Sequence, residues 1–242
     1  MVSKSQIKLI TSLNQKKYRN SNGLFIAEGI KLINDLINSG LDFNEIYTTD
    51  AEYFHIGEAK VKILSEAQLK KISLLKTPNK AVAVFKMPKP LPINKEELIL
   101  VLDDIRDPGN LGTIIRLCDW FGIKDLICSE GTVDCYNPKV VQATMGSLAR
   151  VNITYLNLMD FLSDISTKIF AADMKGENIY RTVLPASGVV VVGNEANGIS
   201  PEVMKMASHR ITIPRFGELQ QTESLNVATA AAIILSEFRR DC

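Results

Sequence analysis

Residues 189–200 read VVVVGNEANGIS, and no other stretch limits the possible folds as much. Four β-branched residues in a row predict a strand buried on both faces. The run leads into Gly193-Asn194-Glu195, and a second glycine, Gly198, follows. Ser200-Pro201-Glu202 predicts a helix start, with Ser as N-cap, Pro at the first helical position and an acid in the first turn. A glycine-containing loop therefore sits at the carboxyl end of a buried strand, where open α/β sheets bind ligands. The spacing Gly193…Gly198 matches a phosphate loop, but Ile199 stands where that loop needs Lys to reach the terminal phosphates. The dinucleotide fingerprint G-x-G-x-x-G is absent as well, and Glu195 would repel a pyrophosphate. These features argue against a polyphosphate ligand. A plain strand–turn–helix connection without a ligand is the other reading of this stretch taken alone.

Length and charge add further bounds. The chain has 242 residues, 46% hydrophobic and 23% charged, as expected of one large or two small globular domains. No run of about 18 apolar residues predicts a transmembrane helix, and MVSKSQIKLI lacks the apolar core of a secretion signal. A cytoplasmic location is the expectation. Cys118, Cys128, Cys135 and Cys242 show no C-x-x-C spacing, and His55 and His209 are isolated, so neither zinc nor a disulfide framework is indicated. The net charge of +1 hides an asymmetry: residues 1–95 carry 15 Lys+Arg against 8 Asp+Glu, and the remainder 13 against 19. A basic first half points to an anionic polymer as partner, with a merely solvated basic terminus as the alternative.

Along the chain, residues 8–17 predict a short basic helix. Lys16-Lys17-Tyr18-Arg19 mixes cations with an aromatic, a composition suited to phosphates and bases. Residues 24–26, 45–49, 61–64 and 81–85 read as strands and 29–39 as a helix. Ser65-Glu66-Ala67-Gln68 is a capping box that predicts a helix over 66–75. Residues 1–86 are thus expected to form a small α/β domain. Met87-Pro88-Lys89-Pro90-Leu91-Pro92 cannot enter a helix or central strand, so 87–96 is read as a semi-rigid linker. Residues 97–242 alternate again. Strands are expected at 98–102, 125–128, 151–155, 169–172, 189–192 and 210–213, with helices between them, from Asn137-Pro138 to about 147 and at 224–239. Such alternation predicts a parallel sheet covered by helices on both faces.

Three stretches of the second part carry candidate chemistry. In 102–122, LDDIRDPGNLGTIIRLCDWFG, a turn ends on Asn110, which reads as a helix N-cap; Arg116 lies off the apolar face of that helix. In the opening loop Glu195 stands between two glycines. In 211–238 a strand ends at Ile213-Pro214, a polar loop follows, and Ser224-Leu225-Asn226 opens an alanine-rich helix. Its two apolar stripes, Leu225/Ala228/Ala232/Leu235 and Val227/Ala231/Ile234/Phe238, could face the sheet and a second subunit, or both lie in the core.

Taken in order, N-x-G-x-x-x-R at 110–116, G-N-E-x-x-G at 193–198 and I-P…S-L-N-V-A at 213–228 resemble the three motifs of the SpoU/TrmH branch of the SPOUT methyltransferases, which methylate ribose 2′-hydroxyls of RNA. Residues 17–40 resemble the substrate-binding domain that precedes the catalytic domain in many members. The resemblance implies a deep trefoil knot in the C-terminal domain, S-adenosylmethionine as methyl donor, no metal, and a homodimer formed through that domain. It implies cofactor contacts at Gly193, Asn194, Gly198, Ile213 and Leu225. Catalytic roles fall to Asn110, Arg116, Glu195, Ser224 and Asn226. Arg116 could act as a desolvated base, or clamp the neighbouring phosphate and stabilise a forming alkoxide; a charged guanidinium has no acceptor, which makes the first role chemically awkward. Lys16, Lys17 and Arg19 would contact RNA phosphates. Ribosomal RNA is favoured over transfer RNA; a non-catalytic RNA-binding protein on the same fold is a further alternative. The sequence departs from the family by a longer loop at 214–224, with Glu218-Leu219-Gln220-Gln221-Thr222 added.

Overall fold

The computed structural model describes residues 2–56, 60–217 and 224–240, so the inserted residues of the 214–224 loop and Cys242 lie outside the described residues. The chain divides into two compact units. One comprises Met1–Lys89 with Asp134–Arg150, the other Pro90–Val133 with Val151–Cys242. The change of unit at Lys89/Pro90 falls inside the expected proline-rich linker. The segment Asp134–Arg150 differs from expectation: it falls within the range 97–242 read as one domain, yet it packs in the first unit.

The first unit holds a mixed sheet of order β1-β4-β2-β3. Its strands are β1 (Leu24–Glu28), β2 (Phe43–Thr48), β3 (Val61–Ile63) and β4 (Ala81–Lys86). Strand β4 is antiparallel to both neighbours and β2 is parallel to β3. Both faces of β1 are buried along its whole length. The single helix expected at 8–17 is instead two, α1 (Lys4–Ser12) and α2 (Lys16–Asn22). Ser3 and Gln6 form a reciprocal capping box at the start of α1, a signal that the S-x-x-Q spacing carried. Helix α3 (Ile30–Asn38) buries Leu32, Ile33 and Leu36. The second capping box, Ser65 with Gln68, forms as expected, but α4 (Glu66–Leu69) stops well before residue 75. Four residues after the helix end, the buried Glu28 carboxylate accepts hydrogen bonds from Ser73 Oγ and the Leu74 amide, both at 2.6 Å. Burial pushes the Glu28 carboxyl above its ordinary range.

Asp134–Arg150 completes this unit. Tyr136 lies 4.9 Å from the Phe25 ring, and α6 (Pro138–Thr144), capped by Asn137, buries Val140 and Val141. Arg19 is 2% exposed. Its Nε and Nη2 donate to Asp134 Oδ2, and its Nη1 donates to the carbonyls of Leu13 (2.9 Å) and Asn14 (2.8 Å). Arg19 is therefore not available as an RNA-phosphate contact: its fork of donors is spent inside the fold. Lys16 and Lys17, on the same helix, are exposed.

The second unit holds six strands, all parallel, in the order β10-β8-β9-β5-β6-β7. They are β5 (Leu98–Asp103), β6 (Asp125–Cys128), β7 (Asn152–Tyr155), β8 (Ile169–Asn178), β9 (Gly188–Gly193) and β10 (His209–Thr212). Val189, Val190, Val191 and Val192 are fully buried, as a central parallel strand requires. The covering helices are α5 (Pro108–Trp120), α7 (Leu158–Ser163), α8 (Pro201–Met206) and α9 (Val227–Phe238). Strand β8 is far longer than its four apolar residues predicted; its polar half is sustained by β10, with Ile211 opposite Glu177 and Thr212 opposite Asn178. From β5 the chain builds outward through β6 and β7, whereas β9 and β8 lie on the other side. The gap between the ends of β5 and β9 is therefore the topological switch point, where such sheets take ligands. No described helix is long and apolar enough to cross a membrane.

Candidate active site

Register fixes the frame of the site. Asp103 on β5 lies beside Gly193 on β9, so the loops after these two strands leave the sheet side by side. After β9 the chain folds back at once: Asn194 and Gly198 exchange two backbone hydrogen bonds of 2.9 Å each. Gly193 is needed for this closure, because a Cβ there would lie 2.2 Å from the Gly198 carbonyl carbon and 2.3 Å from the Ile199 nitrogen. The close approach that demands glycine is thus to the loop itself. Gly198 sits at φ +69°, in the left-handed region.

Asn194 organises the loop rather than offering its side chain to a ligand. Its Oδ1 accepts from the amides of Ala196 and Asn197, and its Nδ2 donates to the Asp104 carbonyl at 2.7 Å. The buried Asp103 carboxylate accepts from the Ser200 amide at 2.7 Å, which anchors the far end of the loop to β5.

The start of α5 corrects one expectation. Its N-cap is Asp107, whose carboxylate accepts from the Asn110 amide at 2.8 Å, with Pro108 next. Asn110 is therefore in the first turn, and its side chain is free to point across the switch point. The signal was present, since Asp-Pro repeats the cap-then-proline pattern of Asn137-Pro138 and Ser200-Pro201.

Three motif residues meet there. Asn226 caps α9, its Oδ1 accepting from the amides of Ala228 (3.0 Å) and Thr229 (3.2 Å). Its Nδ2 then donates to Asn110 Oδ1 at 2.9 Å, and Asn110 Nδ2 donates to Glu195 Oε1 at 2.7 Å. The backbone donors at the head of α9 set the orientation of the Asn226 amide, which sets that of Asn110. The chain of bonds therefore has one direction and ends on the Glu195 carboxylate. It ties together residues 85 and 116 positions apart.

Next to this chain lies a cavity of about 960 Å³, large enough for a small-molecule ligand. Gly193, Asn194, Glu195, Gly198, Ile213, Ser224 and Leu225, all expected here, line it. Met174, Ile211, Val227 and Ile234 supply apolar wall, and Asp173, paired with Arg210 at 3.5 Å, adds a second carboxylate to the lining, which also includes Arg215. Asp173 was missed in the sequence because β8 was expected to end before it. Leu225 is 48% exposed, an apolar side chain held open at the rim. Asn226, not Ser224, caps α9. Arg116 is exposed on α5, and among the described residues it has no hydrogen-bond or ion-pair partner. Of the two α9 stripes, Val227/Ala231/Ile234/Phe238 is fully buried. Cys118, Cys128 and Cys135 are buried and form no disulfide among the described residues, and no cluster of three metal-ligating groups occurs among the described residues.

Known proteins match both units. Residues 97–236 match the SpoU rRNA Methylase family, and residues 4–83 match the MRM3-like substrate binding domain. The chain is 28% identical to the 23S rRNA (guanosine(2553)-2′-O)-methyltransferase of Bacillus subtilis, covering 94% of this chain and 93% of the relative. Among solved structures, a TrmH-family protein of Porphyromonas gingivalis is 39% identical with a TM-score of 0.91, and each chain is covered in full. An rRNA methyltransferase of Sinorhizobium meliloti with S-adenosylmethionine bound is 30% identical with a TM-score of 0.87, covering 99% of this chain and 97% of that one. The motif residues gathered at the switch point and these matches agree, and the chain belongs to the SpoU rRNA methylase family.

Proposed function

We propose that this protein transfers a methyl group from S-adenosylmethionine to a ribose 2′-hydroxyl of ribosomal RNA. The observation that carries the reading is the directed chain Asn226–Asn110–Glu195 at the edge of the cavity. The cavity's chemistry fits the donor. Its apolar walls suit an adenine ring, and its polar lining carries both signs, the carboxylates of Glu195 and of Asp173 (the latter paired with Arg210) and the Arg215 guanidinium, which suits a ligand bearing sulfonium and ammonium charges together with a carboxylate. The backbone of Gly193, Ile213 and Leu225, with Asp173, would hold it. When bound, the group supplies a methyl carbon made electrophilic by a positive sulfur.

The protein's own part is to position and activate a weak nucleophile. The hydrogen-bond chain holds Glu195 in one orientation, with its second oxygen left to meet cofactor or ribose. Arg116 is exposed and about one and two-thirds turns beyond Asn110 on α5. That supports the clamp reading, in which a fully charged guanidinium grips the phosphate next to the target ribose and steadies the developing alkoxide. A base role would need a desolvated, neutral guanidine.

Further parts of the proposal are the deep trefoil knot, a homodimer and a cytoplasmic setting. The knot is supported by α9 reaching back from β10, at one edge of the sheet, to α5, which follows the central strand β5. The homodimer is supported by Trp120, 83% exposed at the end of α5.

Tritiated S-adenosylmethionine and unmodified 23S rRNA transcript test the activity. Label is expected in alkali-resistant dinucleotides, and label in base fragments would overturn the reading. Gly193→Ala is expected to weaken S-adenosylmethionine binding more than tenfold by calorimetry, because its Cβ cannot coexist with the Gly198 backbone. Lys16→Gln with Lys17→Gln is expected to weaken RNA binding and lower the salt slope by about 2, measured by filter binding across salt concentrations. An unchanged slope would remove α2 from the RNA-binding surface.

A further inference from the structure

The turn between β5 and α5 holds a second, unassigned arrangement. Asp104 has φ +60°, which few residues other than glycine adopt. Every polar group of this residue is engaged. Its amide donates to Ser129 Oγ at 2.8 Å, and its carbonyl accepts from Asn194 Nδ2 at 2.7 Å. Its carboxylate takes a two-point ion pair from Arg106, Nε to Oδ1 at 3.0 Å and Nη2 to Oδ2 at 2.9 Å. The space opposite is filled too, since a Cβ on Gly131 would lie 2.6 Å from Asp104 Oδ1. The Asp104 side chain thus has little freedom, and it holds Arg106 by the fork geometry that fixes a guanidinium plane.

Arg106 nevertheless remains 74% exposed. Its Nη1 has no acceptor among the described residues. A surface ion pair of two mobile side chains has little value; here one partner is pinned by the fold and presents the other to solvent. The location matters. Asp104 is bonded to Asn194 of the cavity loop, and Arg106 stands four residues before Asn110. The loops after β5 and β9 also carry the carboxylates of Asp104, Asp107 and Glu195, which a polyanion must approach. A ribose 2′-hydroxyl has phosphates on either side, so a cation held in a fixed orientation near the site can place the hydroxyl by gripping one of them.

We propose that Arg106 is a phosphate contact for the substrate RNA and that Asp104 is its positioning residue. The proposal rests on the reading of the chain as an RNA methyltransferase and names a further part of that site. Arg106→Gln is expected to raise KM for the RNA five- to tenfold and to lower the salt slope of binding by about 1. The loss falls in KM more than in kcat, and S-adenosylmethionine affinity is retained. Asp104→Asn tolerates the same backbone angle but loses the two-point grip. It is expected to weaken RNA binding although it removes a negative charge, and to add nothing once Arg106 is replaced. Asp104→Gly, which relieves the backbone and keeps the carbonyl for Asn194, serves as a second variant free of strain and is expected to behave like Asp104→Asn.

The test measures binding of 23S rRNA transcript by filter retention across salt concentrations, and methyl transfer separately. Unchanged KM and slope in Arg106→Gln would overturn the proposal. So would tighter RNA binding by Asp104→Asn, the result expected if the carboxylate only competed with phosphate. Failure of the methyltransferase reading shows instead as absent transfer by the wild type, and the binding arm still decides the role of Arg106.

Discussion

Arg19→Ala is expected to lower the unfolding free energy by about 3–5 kcal/mol, the usual cost of removing one partner from a buried ion pair. The Arg19 side chain is 2% exposed and that of Asp134 10%, so solvent cannot replace the lost bonds. Among the described residues Asp134 would keep the Tyr136 amide, at 3.0 Å on its Oδ1, and the carbonyls of Leu13 and Asn14 would each lose a donor. Against a typical total of about 5–15 kcal/mol, this is the largest single-site stability effect expected in the first unit. Arg19→Lys is expected to recover little, since one ammonium cannot span two carbonyls and a carboxylate. Arg19→Met combined with Asp134→Leu is expected to recover much of the loss by removing both charges together. Urea titration of the variants checks this. A stable Arg19→Ala protein with weakened RNA binding would instead restore Arg19 to the RNA-contact role that its neighbours in sequence suggested.

The second large effect concerns catalysis. Asn110→Ala is expected to reduce kcat about a hundredfold, roughly 2.7 kcal/mol of lost transition-state stabilisation, with a stability change under about 1 kcal/mol because the site is only half-buried. The deletion removes the donor to Glu195 and the acceptor for Asn226 at once. Asn110→Asp is sharper. The Asn226 amide still has its acceptor, but the second oxygen now faces Glu195 Oε1 where a donor stood. Two carboxylates at hydrogen-bond distance cannot both ionise easily, so one is pushed above its ordinary range. At neutral pH the pair repels and activity is expected to fall below that of Asn110→Ala. As the pH drops, one carboxyl takes up a proton and becomes a donor again, so relative activity should rise toward acid. A pH–rate profile in which both variants fall in parallel would show that the direction of the hydrogen-bond chain does not matter.

Much of the second unit was legible because a both-faces-buried strand leaves a plain mark, an unbroken apolar run, and β5 and β9 carry it. Cap-then-proline pairs marked helix starts equally well. What was not legible depended on partners distant in sequence. Past α4 the chain continues in tight turns to Ser73, where Glu28, some 45 residues upstream, takes hydrogen bonds from Ser73 and Leu74. The polar half of β8 has no apolar pattern and exists because β10 pairs with it. Asp134–Arg150 reads as one more strand-and-helix repeat, yet Arg19, 115 positions away, claims it for the first unit. In the site, the motif residues could be named, but Asn110 was assigned to the wrong duty because Asp107 competes for the same cap. That Asn110, Glu195 and Asn226 form one chain follows only from β5 and β9 lying side by side. Asp104 and Arg106 left no motif at all, since their arrangement depends on a backbone angle and on bonds from Ser129 and Asn194.

The most direct test of the account is a map of ribose 2′-O-methyl groups in ribosomal RNA from cells with and without this protein, read by protection from alkaline cleavage. The account predicts that a discrete 2′-O-methyl position in ribosomal RNA disappears in the deletion strain. It also predicts that the position returns with the wild-type gene and not with Asn110→Asp. An unchanged map, or a loss confined to base methylation, would contradict it.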